Sequence, residues 1–181
     1  MIVHKGEHMF MLMNNKTPLT ILKFLVEHDG EFHVRDISRK TDLSLGFVSR
    51  VLRELLKDEL ISVQKKGRMM LYCINEGNPV VKQIKILMTI TKLYSYIKEL
   101  RPLTRRIILF GSASHGENTP DSDIDLFIMS NDLQKVRTII SQNSQIAPII
   151  MNSAEYANLK EVDFALYDQI NRGIVLWEIS E

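Results

Sequence analysis

Cysteine is almost missing from this chain. Cys73 stands alone among 181 residues, so neither an internal disulfide nor a cysteine-built zinc cluster can form. A lone thiol fits a reducing, cytoplasmic setting. Eight glycines and five prolines are too few for a low-complexity or collagen-like chain. No apolar run approaches the roughly 20 residues that cross a bilayer. Stretches such as residues 107–110 and 146–151 are strand-sized, and no membrane partner is expected. The start of the chain, residues 1–15, has a Met-rich patch. It lacks a basic segment leading into a continuous apolar core and a small-residue cleavage site, so it does not read as a signal peptide. What is present is ordinary for a globular protein: 45% hydrophobic and 25% charged residues, in a length suited to one domain or two small ones.

The net charge of +1 hides an asymmetry. Residues 1–100 carry 16 Lys and Arg against 11 Asp and Glu, whereas residues 101–181 carry 7 against 11. A basic half joined to an acidic half suggests two modules with different partners.

In the first module, residues 17–28 put Leu19, Leu22, Phe24, Leu25 and Val26 on a broad apolar face, and Asp29-Gly30 stops the helix. An extended piece over 31–33 leads to a helix at 34–40. Thr41, Asp42 and Ser44 supply turn and N-cap chemistry for a third helix at 45–57. There Val48, Val51, Leu52 and Leu55 form a buried stripe. Gly46, Arg50, Arg53 and Lys57 share another face, small in front and cationic behind. Strand-like runs at 60–63 and 69–74 flank a basic turn bearing Lys65, Lys66 and Arg68, and read as a hairpin. A solvated basic face would explain the cations equally well for an isolated helix. In this order of elements, however, residues 17–75 resemble a winged helix-turn-helix domain of prokaryotic transcription regulators. The resemblance implies a DNA partner. Ser44, Gly46, Ser49, Arg50 and Arg53 would lie nearest the bases or phosphates, and Lys65, Lys66 and Arg68 on the wing. Winged helices also serve as dimerising, RNA-binding or protein-binding modules.

Asn78-Pro79 marks a boundary, and residues 80–100 read as one long helix ended by Arg101-Pro102. Its expected buried stripe is Val81, Ile84, Leu87 or Met88, Thr91, Tyr94 and Ile97, to be covered by the same chain or by a second copy in a homodimer.

In the second module a buried-strand candidate at 107–110 runs into Gly111-Ser112, and a polar loop leads to a second strand carrying Asp123 and Asp125. A strand ending in Gly-Ser lets backbone N–H groups and a hydroxyl approach an anion. Carboxylates at i and i+2 point to one strand face, where they repel unless a cation sits between them. Hard oxygen donors of this kind suit Mg²⁺ or Mn²⁺ shared with phosphates. The combination LFGSASHGENTPDSDIDLFIM resembles the active-site signature of minimal nucleotidyltransferases of the DNA polymerase β superfamily. That resemblance implies that Gly111 and Ser112 hold a nucleoside triphosphate, ATP being the first choice. It gives Asp123 and Asp125 a catalytic role as metal ligands. His115 stands where the family often has arginine and would contact phosphate or substrate.

Active members also carry a third acid on the strand after the next helix. Residues 133–154 contain neither Asp nor Glu, and Glu155 falls at a helix start. The expected fold is α+β: a winged helix-turn-helix at 1–78, a connecting helix at 79–104, and a small mixed-sheet nucleotidyltransferase-like domain at 105–181. The function expected is Mg²⁺-dependent transfer of a nucleoside monophosphate to a hydroxyl, on a protein, fused to DNA binding. The alternative is a DNA-binding transcriptional regulator whose degenerate second domain only binds nucleotide or assembles a dimer.

Overall fold

The computed structural model describes residues 16–179; the Met-rich start and the last two residues lie outside the described residues. The chain divides after Val81 into two compact units.

In the first unit, α1 (Lys16–Glu27) buries Ile21, Leu22, Phe24 and Leu25. Gly30, at φ +131°, turns the chain into β1 (Phe32–His33), and the Phe32 ring meets Phe24 edge-on at 4.9 Å. Helix α2 (Val34–Thr41) begins at His33, whose ring nitrogen accepts from the Arg35 N–H. It ends at Asp42 in the left-handed region. Helix α3 (Leu45–Lys57) buries Val48, Val51, Leu52 and Leu55, the expected stripe. Ser44 occupies its N-cap position but makes no side-chain capping bond, which leaves the hydroxyl exposed. Strands β2 (Ile61–Lys66) and β3 (Met69–Ile74) pair antiparallel, and β1 adds to β3, giving the order β1-β3-β2. The unit is a winged helix-turn-helix. Pairing runs through Lys66↔Met69, so the wing turns over Gly67-Arg68 alone.

Helix α4 (Pro79–Leu100) starts on an Asn78 side chain that accepts from the Val80 N–H at 2.8 Å and donates to the Glu59 carbonyl at 3.0 Å. Its buried line differs from the expected one. It runs Val81, Lys85, Thr89, Leu93, Ile97 and Leu100, whereas Leu87 and Tyr94 are 57% and 63% exposed. Apolar residues surround α4 almost evenly, so hydrophobicity left the face undetermined. Lys85 takes a core-side place that a charge-based reading assigns to solvent, which its aliphatic stem tolerates.

The second unit is built on a mixed four-stranded sheet in the order β6-β5-β4-β7. Strand β4 (Arg106–Leu109) is antiparallel to both β5 (Ile124–Met129) and β7 (Ile174–Glu178), and β5 is parallel to β6 (Ile146–Met151). Between β4 and β5 lies a one-turn helix, α5 (Gly111–Ser114). Helix α6 (Leu133–Ile140) joins the parallel pair. Helices α7 (Ser153–Val162) and α8 (Phe164–Asn171) follow. One sheet face packs Leu93, Ile97 and Leu100 of α4 and Val136 and Ile140 of α6 against Ile107, Leu109, Leu126 and Ile128. The other face sets Ile108 and Phe127 against Leu159 of α7 and Ile170 of α8. Gly173 passes so close to β4 that a Cβ would stand 2.5 Å from the Leu109 carbonyl oxygen. The N-cap of α7 is Asn152, which forms a reciprocal capping box with Glu155. Among the described residues no helix is long and apolar enough to cross a membrane.

The α4 line has a direct consequence. Leu93→Ala should cost about 2–5 kcal/mol, read as a lower urea midpoint for the second unit. Leu87→Ala should stay within about 0.5 kcal/mol of the parent. Equal losses would place the helix on the wrong face.

Candidate functional site

The site forms where β4 ends and β5 begins. Phe110 N–H donates to the Asp125 carbonyl at 3.1 Å, which holds the two strand ends together. Gly111 then turns at φ +65°, a conformation that L side chains rarely adopt. A Cβ there would run into Asp125 Oδ2 and lie 3.0 Å from its Cγ. Glycine is required twice over: for the turn and for the closeness of the carboxylate.

After Gly111 the chain makes one helical turn. Its first N–H groups have no intrahelical acceptor, and the exposed Ser112 hydroxyl has no partner among the described residues. The Ser112 carbonyl accepts from the N–H groups of both His115 and Glu117, closing the loop on itself. The His115 ring folds back, with Nδ1 3.0 Å from the Gly111 carbonyl oxygen and 3.0 Å from Ser114 Oγ. The ring thereby braces the turn and remains exposed.

Asp123 immediately precedes β5 and Asp125 is its second residue, near enough for the Asp123 charge to act on the Asp125 carboxyl. Asp123 is exposed and Asp125 half-buried. Burial, with the Asp123 charge second, pushes the Asp125 carboxyl above the ordinary aspartate range. Such a pair gains most from a cation between its members. Among the described residues no group of three or more His, Cys, Asp or Glu gathers anywhere, so the pair has no third acid beside it. The parallel register explains why. Ala147 pairs with Asp125, and Ile149 shares that face two residues on, where an acid would complete the cluster. Glu155 is engaged elsewhere, its Oε2 accepting the Asn152 N–H at 2.7 Å.

The loop is also secured to α4, through residues that the motif reading passed over. Gly116, at φ +68°, packs on the α4 backbone, and a Cβ there would overlap the Lys82 carbonyl. Lys82 Nζ bonds Glu117 Oε1 at 2.6 Å, and this bond holds the Glu117 carboxyl below its ordinary range. The paired glycines of the loop, Gly111 and Gly116, were the available signal.

Of the basic residues of the first unit, Arg50 and Arg53 lie on α3, whereas Lys65 and Lys66 fall within β2 rather than in the turn, and Arg68 alone of the three sits at its tip. Ser44, Gly46, Arg50 and Arg53 are exposed on α3, with Ser49 half-buried. Arg50 stacks over the Phe47 ring at 4.7 Å, and Arg53 Nε donates to the Ser49 carbonyl at 3.3 Å. On the wing Lys65, Lys66 and Arg68 are exposed. Lys66 pairs with Glu31 at 2.6 Å, which braces the hairpin against β1's approach.

A family model described as polymerase beta, nucleotidyltransferase matches residues 91–181, half of the chain. Among solved structures, the homodimeric winged helix-turn-helix DNA-binding domain of Mb0332 from Mycobacterium bovis is 22% identical. That match covers 51% of this chain and 83% of its own, at a TM-score of 0.43. NolR from Sinorhizobium fredii is 24% identical over 51% of this chain and 86% of its own, at 0.41. A candidate nucleotidyltransferase from Sulfolobus solfataricus is 13% identical over 57% of this chain and 93% of its own, at 0.38. No curated relative matches the sequence.

Titration of Asp125 should be visible in stability. Its raised carboxyl pKa contributes stability below the ordinary aspartate range, and that contribution is lost as pH rises through the raised value. Without divalent metal, Asp125→Asn should therefore melt above the parent near pH 7. The gap should close at acidic pH, and a parent that melts higher throughout would contradict the crowding.

Proposed function

Given that the chain belongs to the polymerase beta, nucleotidyltransferase family, we propose that its second unit moves a nucleoside monophosphate from a triphosphate to a hydroxyl on a protein, while its first unit binds DNA. The observation that carries the first half is the meeting of Gly111 with the Asp123–Asp125 pair at one end of the sheet. The donor set fits a divalent ion: two neighbouring hard carboxylates, with no third acid gathered beside them among the described residues to fill the remaining positions. Mg²⁺ or Mn²⁺ held by Asp123 and Asp125 supplies neutralisation of the phosphate charge and of the departing pyrophosphate. Ser112 Oγ and the free N–H groups of the α5 turn bind phosphate oxygens, and the Gly111 turn brings that cradle against Asp125. His115 holds the turn in place through the Gly111 carbonyl. Deprotonation of the attacking hydroxyl has no assigned residue, and ATP is the donor to test first.

A second reading is favoured by one feature, the Ala147 and Ile149 side chains where an acid is needed. A site of two carboxylates can hold a metal-bound nucleotide while activating an acceptor poorly. The protein is then a DNA-binding transcriptional regulator whose second unit senses nucleotide. Two copies would present two α3 helices to paired half-sites.

For DNA, the exposed cations of α3 and the wing supply phosphate and base contacts. Arg53→Ala should weaken duplex binding and lessen its salt dependence by about one counterion's worth. Unchanged affinity at matched salt removes α3 from the interface. For chemistry, the full chain with Mg²⁺, α-labelled ATP, GTP, CTP or UTP and a cell extract should transfer label to protein. Asp123→Asn should abolish the transfer. Nucleotide binding without any transfer by the parent selects the regulator.

A further inference from the structure

The turn around His115 fixes which of its two ring nitrogens carries hydrogen. Nδ1 lies 3.0 Å from the Gly111 carbonyl oxygen, and a carbonyl can only accept. The Ser114 hydroxyl, 3.0 Å from the same nitrogen, donates its own hydrogen to that carbonyl at 2.7 Å. Both oxygens therefore turn lone pairs toward Nδ1, which must be the protonated nitrogen. In the neutral ring Nε2 is then an acceptor with no hydrogen to give. It becomes a donor only when the ring takes up a second proton.

Nε2 has no partner among the described residues, and His115 is exposed. The backbone from Ser112 to His115 makes one right-handed helical turn. Side chains three residues apart share a face of such a turn and lean toward its start. The ring is thus set on the side of Ser112, whose hydroxyl is also exposed and unpartnered among the described residues. An anion resting on Ser112 meets a lone pair when the ring is neutral and an N–H donor when it is an imidazolium. The charges around the ring are of both signs. The Glu117 carboxylate feels the ring's charge, Lys82 bonds that carboxylate at 2.6 Å, and Lys85 acts on it from the same helix. On the strand side Asp125 meets Gly111, with Asp123 beside it.

Resting on the nucleotide-binding reading above, we propose that His115 binds the triphosphate only as an imidazolium, so that nucleotide uptake brings up to one proton onto Nε2. His115 is then a phosphate ligand as well as a brace. It makes uptake sensitive to pH over the range where histidine changes charge, about pH 5 to 8. Binding is tighter on the acidic side of that range and is lost as pH rises, because the free protein must then be protonated at a growing cost.

Calorimetric titration of the full chain with ATP in Mg²⁺, in buffers of different ionisation enthalpy, counts the protons taken up. The reference is His115→Arg, whose cation persists at every pH used. ATP, Asp123, Asp125 and Glu117 still titrate in that variant and cancel in the comparison. Relative to it, the parent should take up extra protons on binding. Its affinity should also fall about ten-fold further between about pH 6 and pH 8, the worth of one charge-assisted bond. His115→Gln, which takes up no proton, should bind at the parent's alkaline level throughout. A ring that only braces the turn predicts instead that His115→Gln melts lower and binds more weakly by the same factor at every pH. That result, or equal proton counts in the parent and His115→Arg, overturns the inference while leaving nucleotide binding standing. No ATP uptake by the parent at any pH overturns both.

Discussion

The approach of the Gly111 backbone to the Asp125 carboxylate is the constraint on which the second unit's chemistry depends. Two strand ends must stay together for it, and the Phe110 N–H bond to the Asp125 carbonyl keeps them so. The turn must run through a positive φ, and no side chain fits between the Gly111 backbone and the Asp125 carboxylate. Everything nearby supports that arrangement. His115 braces the Gly111 carbonyl, the Ser112 carbonyl closes the loop, and Gly116 with Glu117 fastens the loop to α4 at Lys82. The cost is a crowded, partly desolvated carboxylate. That unfavourable charge would favour a divalent cation at the proposed site, since binding would relieve repulsion as well as gain attraction.

The same sheet that builds the pair withholds the third acid. Because β5 and β6 run parallel in register, the side chain beside Asp125 is fixed by the identity of residue 147. With alanine there and Glu155 spent on its capping box, substrate binding and acceptor activation become separable properties. The first unit carries its own version of this economy. Its core stripe on α3 is conventional, and the opposite face carries Gly46, Arg50 and Arg53, all exposed.

Elements with a single dominant periodicity were legible from the sequence. Helix α3 has the limits that its pattern indicated. Helix α4 was legible as a helix but not as a surface. Apolar groups on every side let Lys85 and Thr89 take buried positions while Leu87 and Tyr94 face solvent. The fastening of the loop to α4 was not legible in one dimension, since Gly116 lies in the signature motif but Lys82, on which it packs, lies far from it in the chain.

Calorimetric titration of the full chain with ATP, in Mg²⁺ and in excess chelator, tests the central claim most directly. The account predicts saturable uptake of the metal-bound nucleotide that disappears when the metal is removed. Uptake of equal strength in chelator, or no uptake in either condition, would contradict it.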